Sequence, residues 1–267
     1  MPAELSHLPR RSERMVAILS AVQEHGHLQL SELSSLLGAS PATIRRDVAA
    51  LADQGLLTRT HGGAHSLGQP SELPVSLRDG RHQQAKQAIA EVVVRLLPAG
   101  RHAIALTGGT TTTEVLRALH HRQDLTIITN SVGLALEAAG QGQSRVLIAG
   151  GILRPNSLEL VGSLAEATFR QINVGTAIVG CDGICDEGGL TTHDDTEAHT
   201  NHTMIEMAQR VIVVADGSKV GRAMLARLAT LDEVDVLVTD SGANEGELDR
   251  IRRRGVEVHV VPTVTGP

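Results

Sequence analysis

Apolar residues near the N-terminus of the chain recur at the three- and four-residue spacings of helices. Two stripes predict two helices, and they consist of Met15, Ile18, Leu19 and Val22, and then of Leu33, Leu36 and Leu37. The second helix begins at about Ser31 and ends at Leu37, where Gly38-Ala39-Ser40 supplies a tight turn. A third stripe, formed by Ile44, Val48 and Leu51, predicts a helix directly after that turn.

The third helix combines this apolar face with a basic one. Ser40 is a good N-cap, and Pro41 suits the first helical position, where a missing N–H costs nothing. The face opposite the stripe and its flanks carry small and basic residues: Ala42, Thr43, Arg45, Arg46 and Ala49. Taken alone, this pattern fits a solvated amphipathic helix as well as a helix that lies in a DNA major groove. The order of helix, short glycine-containing turn and basic helix favours a helix-turn-helix.

The segment after the third helix predicts a wing. Residues 56–60 are extended in pattern, and His61-Gly62-Gly63-Ala64 is a turn that needs the freedom of glycine. This places Arg59 and His61 near a DNA backbone phosphate. The sequence therefore predicts a winged helix-turn-helix.

Beyond Gly100 the pattern changes to short, continuous aliphatic runs separated by helical segments. These runs predict seven buried strands: 103–106, 125–129, 146–149, 177–179, 211–214, 236–239 and 256–260. Such strands imply an α/β fold with a mostly parallel sheet that helices cover on both faces. Ligands of such sheets bind beyond the carboxyl ends of the strands.

The division into domains follows from these two patterns. We predict a flexible N-terminus at 1–9, a winged helix-turn-helix domain at 10–65, a linker at 66–76 and a second domain at 77–267. The second domain opens with a helix from about Leu77 to Leu97, with Ile89, Val93 and Leu96 facing inward and Lys86 outward.

Composition restricts the kind of nucleic acid that the chain could bind. Hydrophobic residues make up 41% and charged residues 20%, as in an ordinary folded protein. With one Phe and no Trp or Tyr, stacking of single-stranded bases on aromatic rings is excluded, whereas groove readout of duplex DNA is not.

The formal net charge is −6, but residues 1–65 are neutral, with six basic and six acidic side chains. We expect the arginines of this part to lie on one side and give modest non-specific DNA affinity: Arg10, Arg11, Arg14, Arg45, Arg46 and Arg59.

No apolar run approaches 18 residues and no charged-then-hydrophobic leader is found, so we expect a cytoplasmic protein. Cys181 and Cys185 are interpreted as reduced thiols near a strand end, with a disulfide or redox switch as the alternative. His193, His199 and His202 lack a partner at metal-ligand spacing, so we predict surface histidines and no metal site.

Several short motifs, taken in order, resemble the DeoR-type bacterial transcriptional regulators. The first two are Thr43-Ile44-Arg45-Arg46-Asp47 and Arg59-Thr60-His61-Gly62-Gly63-Ala64. Five more follow: Gly109-Thr110-Thr111-Thr112, Thr129-Asn130-Ser131, Gly150-Gly151, Ser157-Leu158-Glu159-Leu160-Val161-Gly162 and Asp216-Gly217-Ser218-Lys219. The resemblance covers the chain from about Arg11 to about Asp240.

The resemblance implies a sequence-specific regulator, most often a repressor of carbohydrate genes, that senses a phosphorylated sugar in an isomerase-like second domain. Its expected partners are double-stranded operator DNA, the sugar and further copies of itself, as a dimer or tetramer, with no membrane and no cofactor. The DNA-binding residues predicted by position are Ser40, Ala42, Thr43, Arg45, Arg46, Arg59 and His61.

The loop from Thr107 to Thr112 follows a strand and opens a helix. Its backbone N–H groups, the helix dipole and its hydroxyls suit an anion, although a glycine turn capped by threonine gives the same pattern. The family's loop resembles the phosphate loop of sugar-phosphate isomerases, which favours effector binding at Gly108, Gly109, Thr110, Thr111 and Thr112. One departure is that these regulators commonly carry Asp at the position of Thr107.

Other predicted effector-binding residues lie at further strand ends: Thr129, Asn130, Ser131, Gly151, Asp182, Glu197, Asn201 and Lys219. Asn130 is alternatively a helix cap and Gly151 a plain turn. For Lys219 we favour a ligand or ion-pair role over a solvated turn lysine.

Two other functions compete with a regulator. One is a sugar-phosphate isomerase with an appended DNA-binding domain, which needs a carboxylate base and a cation. No lysine lies between Gly150 and Asp216, where such isomerases keep one, so we predict that the chain is not an enzyme. The other is a DNA-binding protein whose second domain only oligomerises.

Overall fold

The computed structural model describes residues 11–68, 72–78, 82–141 and 145–263. It divides into two compact units, Met1–Arg81 and His82–Pro267. The predicted flexible segment 1–9 lies outside the described residues, as do Gln69, Pro70 and Ser71 of the predicted linker.

The first unit is a winged helix. Its elements are α1 (Arg11–His25), β1 (His27–Gln29), α2 (Leu30–Leu37), α3 (Pro41–Asp53), β2 (Thr58–Arg59), β3 (Gly63–His65) and α4 (Val75–Arg78). The three strands form an antiparallel sheet in the order β1-β3-β2, so β2 and β3 are the predicted wing. Its core contains Ile18, Leu33 and Ile44. Leu36, predicted to face inward, is 64% exposed, because the face of α2 that packs in this core carries Leu30, Leu33 and Leu37.

The predicted boundary at residue 77 is wrong. Leu77 lies in α4 and is buried in the core of the first unit, and the division falls between Arg81 and His82. The long helix of the second unit, α5, begins only at Gln83 and ends at Leu96. Lys86, predicted to face outward, is buried there because it precedes Ile89 by three residues and Val93 by seven, on the same helical face.

The second unit contains the predicted seven-stranded parallel sheet, in the order β15-β14-β12-β9-β4-β5-β6. The strands are β4 (His102–Leu106), β5 (Leu125–Thr129), β6 (Arg145–Ile148), β9 (Thr176–Gly180), β12 (Val211–Val214), β14 (Val236–Asp240) and β15 (Glu257–Val261). Its remaining helices are α6 (Thr110–Ala118), α7 (Val132–Gly140), α8 (Ser163–Phe169), α9 (Asp195–Glu206) and α10 (Glu245–Arg253). All seven predicted strands and the α/β fold class are confirmed.

Helices cover both faces of this sheet. Ile104 and Leu106 of β4 pack in one apolar cluster with residues of α5, α6 and α7, while Ala105 between them packs in a second cluster with residues of α8, α9 and α10. Alternate side chains of each strand thus enter separate cores. Full burial of a Leu or Ile contributes roughly 1.5–3 kcal/mol, so the two cores fix the ends of the strands firmly.

Short antiparallel strands surround the carboxyl ends of the parallel sheet. They are the hairpin β7 (Ile152–Arg154) and β8 (Glu159–Val161), and the small sheet of β10 (Gly183–Cys185), β11 (Gly189–Thr192) and β13 (Ala226–Ala229). Strand β8 lies against the loop after β5, since Leu160 N–H donates to Asn130 O at 2.8 Å. This contact carries Glu159 to the edge where the predicted effector residues lie.

Candidate functional site

The N-terminal half of α3 presents the predicted basic face. Ile44, Val48 and Leu51 are fully buried, whereas Ala42, Arg45 and Arg46 are exposed. The helix begins as predicted: the Ser40 hydroxyl accepts the N–H of Thr43 at 3.2 Å, and Pro41 occupies the first turn.

The basic side chains of α3 and of the wing are available for contacts with a ligand. Among the described residues, the side chains of Arg45, Arg59 and His61 have no hydrogen-bond or ion-pair partner, and that of Arg46 only donates from Nε to Ala42 O at 3.3 Å. Arg59 lies in β2 and His61 in the following turn, both exposed on the wing. Exposed guanidinium groups on a recognition helix and a wing suit phosphate and guanine contacts.

Two of the other N-terminal arginines have a structural role, which corrects the expectation that all six form one DNA-facing patch. Arg14 Nε donates to Asp47 Oδ2 at 2.6 Å and Arg11 Nε to Asp47 Oδ1 at 3.4 Å. Asp47 is 2% exposed. The acidic residue of the Thr-Ile-Arg-Arg-Asp motif therefore ties α3 to α1, and Arg10 lies outside the described residues.

The predicted anion loop joins β4 to α6. Gly109 is the residue before the helix, and no side chain within the described residues caps the first N–H groups of α6. Thr110 and Thr111 are half-buried in this first turn. The Thr112 hydroxyl, in contrast, is buried and donates to Gly109 O at 2.9 Å, so it stabilises the turn. Thr107, where the family commonly has Asp, is buried and accepts the N–H of Gly180 at 3.0 Å.

A carboxylate nevertheless reaches the loop from β8. Glu159 Oε1 accepts the N–H of Gly108, and Glu159 Oε2 accepts Asn201 Nδ2 at 3.2 Å. Asn201 Oδ1 in turn accepts Asn130 Nδ2 at 3.0 Å, which leaves the buried Asn130 Oδ1 with no hydrogen-bond donor among the described residues. Sequence analysis placed Asn130 and Asn201 in the site but missed Glu159, whose partners are 42 and 51 residues away along the chain.

A second group of charged residues continues from Glu197, which lies on α9 one helical turn before Asn201. The Thr192 hydroxyl lies 2.8 Å from Glu197 Oε1 and 3.1 Å from Asp182 Oδ2. Lys219 Nζ donates to Asp182 Oδ1 at 3.3 Å, which confirms its ion-pair role. Arg154 of β7 pairs with Glu197 at 3.0 Å and with Asp194 at 3.2 Å. Arg154 and Thr192 were not predicted.

Burial perturbs the acids of this cluster. Burial, and secondly the charge of Glu197, raises the pKa of Glu159 to about 8, against the opposing hydrogen bonds from Gly108 and Asn201. Burial also raises the pKa of Glu197. The neighbouring Cys181 thiol is buried, which raises its pKa to about 12, so it does not form the reactive thiolate at neutral pH.

Three of the predicted effector residues serve the fold. The Thr129 hydroxyl donates to Leu106 O at 2.7 Å, and the Ser131 hydroxyl caps α7 by accepting Leu134 N–H at 3.3 Å. Ser131 and not Asn130 is therefore the helix cap. At Gly151 a Cβ atom would lie 2.7 Å from Val161 O, so glycine is needed for the close approach of β8. Asn130, Asp182, Glu197, Asn201 and Lys219 are the residues that join the cluster.

The histidines do not converge on one another. His193 Nε2 lies 4.0 Å from Asp182, whereas His199 and His202 line a separate cleft of about 350 Å³ between α9 and β13. Within the described residues, His, Cys, Asp and Glu side chains do not form a metal-ligand cluster. Cys181 and Cys185 are both free thiols. None of the described helices combines the length and apolar character required to cross a membrane.

Comparison with known proteins identifies both units. Residues 14–69 match the DeoR-like helix-turn-helix domain, and residues 81–241 match the DeoR C terminal sensor domain. The chain is 34% identical over 256 residues to the putative aga operon transcriptional repressor of Escherichia coli O157:H7, covering 94% of each chain.

Two further relatives are aligned over nearly their full lengths. The HTH-type transcriptional regulator GlpR of Haloferax volcanii is 35% identical over 92% of this chain and 96% of its own. The glycerol-3-phosphate regulon repressor of Escherichia coli K12 is 31% identical over 87% and 92%. Together with the winged helix and the covered parallel sheet, these matches show that the chain belongs to the DeoR family of DNA-binding transcriptional regulators and is not an enzyme.

Proposed function

We propose that this protein is a repressor of carbohydrate-metabolism genes whose operator affinity is set by a phosphorylated sugar bound at the carboxyl end of the parallel sheet. The observation that carries the proposal is the juxtaposition of two kinds of group at one edge. The uncapped N-terminus of α6 lies beside the buried carboxylate and amide groups of Glu159, Asn201 and Asn130.

The two kinds of group suit the two ends of a sugar phosphate. Backbone N–H groups and the positive end of the α6 dipole attract the phosphate. Carboxylate and amide oxygens accept hydrogen bonds from sugar hydroxyls, and the unsatisfied Asn130 Oδ1 needs such a donor. The cluster carries the acids Glu159, Asp182, Asp194 and Glu197 against Arg154 and Lys219. Because acids outnumber bases in the cluster, an anion is favoured more at the free N–H groups of the first turn of α6 than among these side chains, and this orients the ligand.

The names of the relatives agree with this class of ligand. One relative is named as the putative repressor of an aga operon, and another as the repressor of a glycerol-3-phosphate regulon. A glycerol phosphate, like a sugar phosphate, combines a phosphate group with hydroxyl groups. The presence of Glu159 at Gly108 supplies a carboxylate next to position 107, where this chain has Thr in place of the family's common Asp.

We also propose that the protein acts as a homo-oligomer held by its second unit. A single winged helix buries too little surface for tight specific binding, and regulators of this kind read repeated half-sites. The operator is then expected to contain two or more copies of one short sequence.

Two experiments test the proposal. Footprinting of the DNA around the gene and its neighbours by the purified protein is expected to show protected repeats. Thermal melting with a panel of aldose, ketose and triose phosphates, beside the unphosphorylated sugars, is expected to show stabilisation by a phosphorylated member only.

The site is tested by a pair of variants. Thr110→Asp places a carboxylate where the phosphate is expected, and it should abolish the stabilisation, whereas Thr110→Ser keeps the hydroxyl and should retain it. Equal stabilisation of the wild type and the Thr110→Asp variant would remove this loop from consideration. Absence of stabilisation by every sugar phosphate would leave only DNA binding and oligomerisation.

A further inference from the structure

The carboxyl group of Glu159 lies against the predicted anion loop between β4 and α6, where the proposed function places an external anion. Glu159 is 1% exposed, and its Oε1 accepts the N–H of Gly108, the second residue of the loop. A Cβ atom at Gly108 would lie 2.7 Å from both Cγ and Oε1 of Glu159. The acid is therefore packed directly against the backbone of the loop.

The hydrogen bonds of Glu159 are those of an ionised carboxylate. Both of its oxygens accept an N–H group, from Gly108 and from the Asn201 amide, and neither is placed as a donor. Above the pKa of Glu159, these fixed donors therefore hold a negative charge beside the anion loop. A second anion at the same turn meets a buried like charge, which favours protonation of the carboxyl group.

Groups from several elements face Glu159. From α9 these are the Glu197 carboxylate and the Asn201 amide, and from β7 the Arg154 guanidinium, which is itself paired with Glu197 and Asp194. The loop after β4 contributes only the Gly108 N–H, and Asn130 after β5 acts through Asn201. One contact further away, beyond Thr192, lie Asp182, Lys219 and His193.

We infer that Glu159, when ionised, is an internal anion of the predicted anion loop, and that an external oxyanion binds there only when this carboxyl group is protonated. The inference rests on the proposed function, because it assumes that the loop binds the phosphate of the effector. It concerns the regulation of that same site by the protonation state of one residue.

The proton comes from solvent and ends on the Glu159 carboxyl group, with no other bond made or broken. The neutral carboxyl group then offers an O–H donor toward the bound anion where it previously offered a charge. Burial and the charge of Glu197 already raise the pKa of Glu159, so the exchange occurs near neutral pH and not in the usual acidic range of carboxyl groups.

The sign of the pH dependence follows from linkage. An anion that binds the protonated form raises the pKa of Glu159 further, so affinity is greatest below the pKa of the free protein. Above it, affinity falls by about tenfold for each pH unit. Proton uptake on binding is then close to zero at about pH 6 and close to one at about pH 9.

Sulfate is a suitable probe because it keeps its two charges throughout this range, so its own titration does not contribute. Sulfate is titrated into the full-length protein by calorimetry at several pH values, in pairs of buffers with different ionisation enthalpies, which gives the number of protons taken up. The Thr110→Asp variant serves to locate the binding at the loop.

Three variants assign the proton. Glu159→Gln is expected to take up no proton and to bind sulfate with the same affinity at about pH 6 and about pH 9. Glu166→Gln replaces another buried acid, one that pairs with Arg170 outside the site, and is expected to behave as the wild type. His193→Gln removes the nearby imidazole and is also expected to leave the proton uptake unchanged.

A measurement on the wild type does not depend on the folding of any variant. With glycines selectively labelled with ¹⁵N, the Gly108 amide resonance of the sulfate-free protein should titrate with the pKa of Glu159, and saturating sulfate should move that midpoint upward. An unchanged midpoint would overturn the inference.

The outcomes separate the two proposals. Sulfate that binds at the loop at about pH 9 without proton uptake, or with uptake that persists in Glu159→Gln, overturns the role of Glu159 and leaves the proposed function intact. Absence of sulfate binding that depends on Thr110, over the whole pH range, overturns the anion-binding loop itself.

Discussion

Replacement of Asp47 by Asn should strongly reduce the stability of the winged helix without removing any group that is predicted to contact DNA. Asp47 is buried in α3, and its carboxylate accepts hydrogen bonds from Arg14 at 2.6 Å and Arg11 at 3.4 Å, both on α1. The change keeps the shape of the side chain but removes the negative charge that lies 2.6 Å from the Nε atom of Arg14. The side chain of Arg14 is itself only 11% exposed.

The magnitude follows from the burial of the pair. Removal of one partner of a buried ion pair costs roughly 3–5 kcal/mol, because an uncompensated charge remains in a poorly solvated place. Arg14 keeps a little contact with water, so we expect a loss of about 3 kcal/mol, at the lower end of that range. Arg11 is 66% exposed, and its share of the interaction is under about 1 kcal/mol.

Hydrogen exchange measured by mass spectrometry is the suitable assay, because the chain has no Trp or Tyr to report unfolding by fluorescence. Peptides from α1 and α3 should exchange about a hundredfold faster in Asp47→Asn, since each 1.36 kcal/mol is a factor of ten. Peptides from the parallel sheet should be unchanged.

The matched control is Asp53→Asn, on the same helix but exposed at its C-terminal end, which should not accelerate exchange. A change of less than about fivefold in the α1 and α3 peptides of Asp47→Asn would show that the pair does not hold the two helices together, and the structural role given to Asp47 would be refuted.

Four other predictions concern DNA binding, domain boundaries and the sensor site. Arg46→Ala should cost roughly 1–3 kcal/mol of operator affinity and relax the base preference at one position of the operator. Arg59→Ala should instead weaken binding to all DNA sequences alike and lower the salt dependence of binding by about one unit of slope. Salt titrations of binding to operator and random DNA distinguish the two effects. A fragment ending at Arg81, where the first unit ends, should keep its helical circular dichroism but lose most specific binding; operator affinity equal to that of the full chain would refute the role of the second unit. Gly108→Ala should displace Glu159 and abolish the effector response measured by thermal melting, while Gly140→Ala, where a Cβ atom meets nothing within 4 Å, should not. Folding raises the pKa of Glu159 from about 4.5 to about 8, so the stability that the protonated group contributes is full below pH 4.5 and is lost as the pH rises through 8. Glutamine does not titrate, so the melting temperature of Glu159→Gln should rise relative to that of the wild type between about pH 4.5 and pH 8.

The parallel sheet could be predicted from the sequence because each strand is a continuous aliphatic run with helical segments on both sides. The short strands could not, since β7, β8, β10 and β11 have only three or four residues each and lack such runs. Their positions depend on long-range contacts such as the hydrogen bond from Leu160 to Asn130.

The errors at single residues came from giving chemical type more weight than position. Lys86 shares a helical face with Ile89 and is buried, while the apolar Leu36 is exposed. The missed residues of the site have a different origin. Glu159 lies in a strand of mixed character, and only the fold brings it to Gly108 and Asn201, whereas residues at the ends of the long strands could be found by position alone.

The central proposal is that a phosphorylated sugar in the second unit controls the affinity of the first for its operator. It is tested most directly by measuring the dissociation constant of the full-length protein and a labelled operator duplex with and without a saturating sugar phosphate, in wild type and Thr110→Asp. The predicted result is a change of about 5- to 150-fold in the wild type, the range of an allosteric coupling of 1–3 kcal/mol, and no change in the variant, with equal operator affinity of the two proteins when the sugar is absent. An operator affinity in the wild type that stays the same with every sugar phosphate that binds the protein would contradict it.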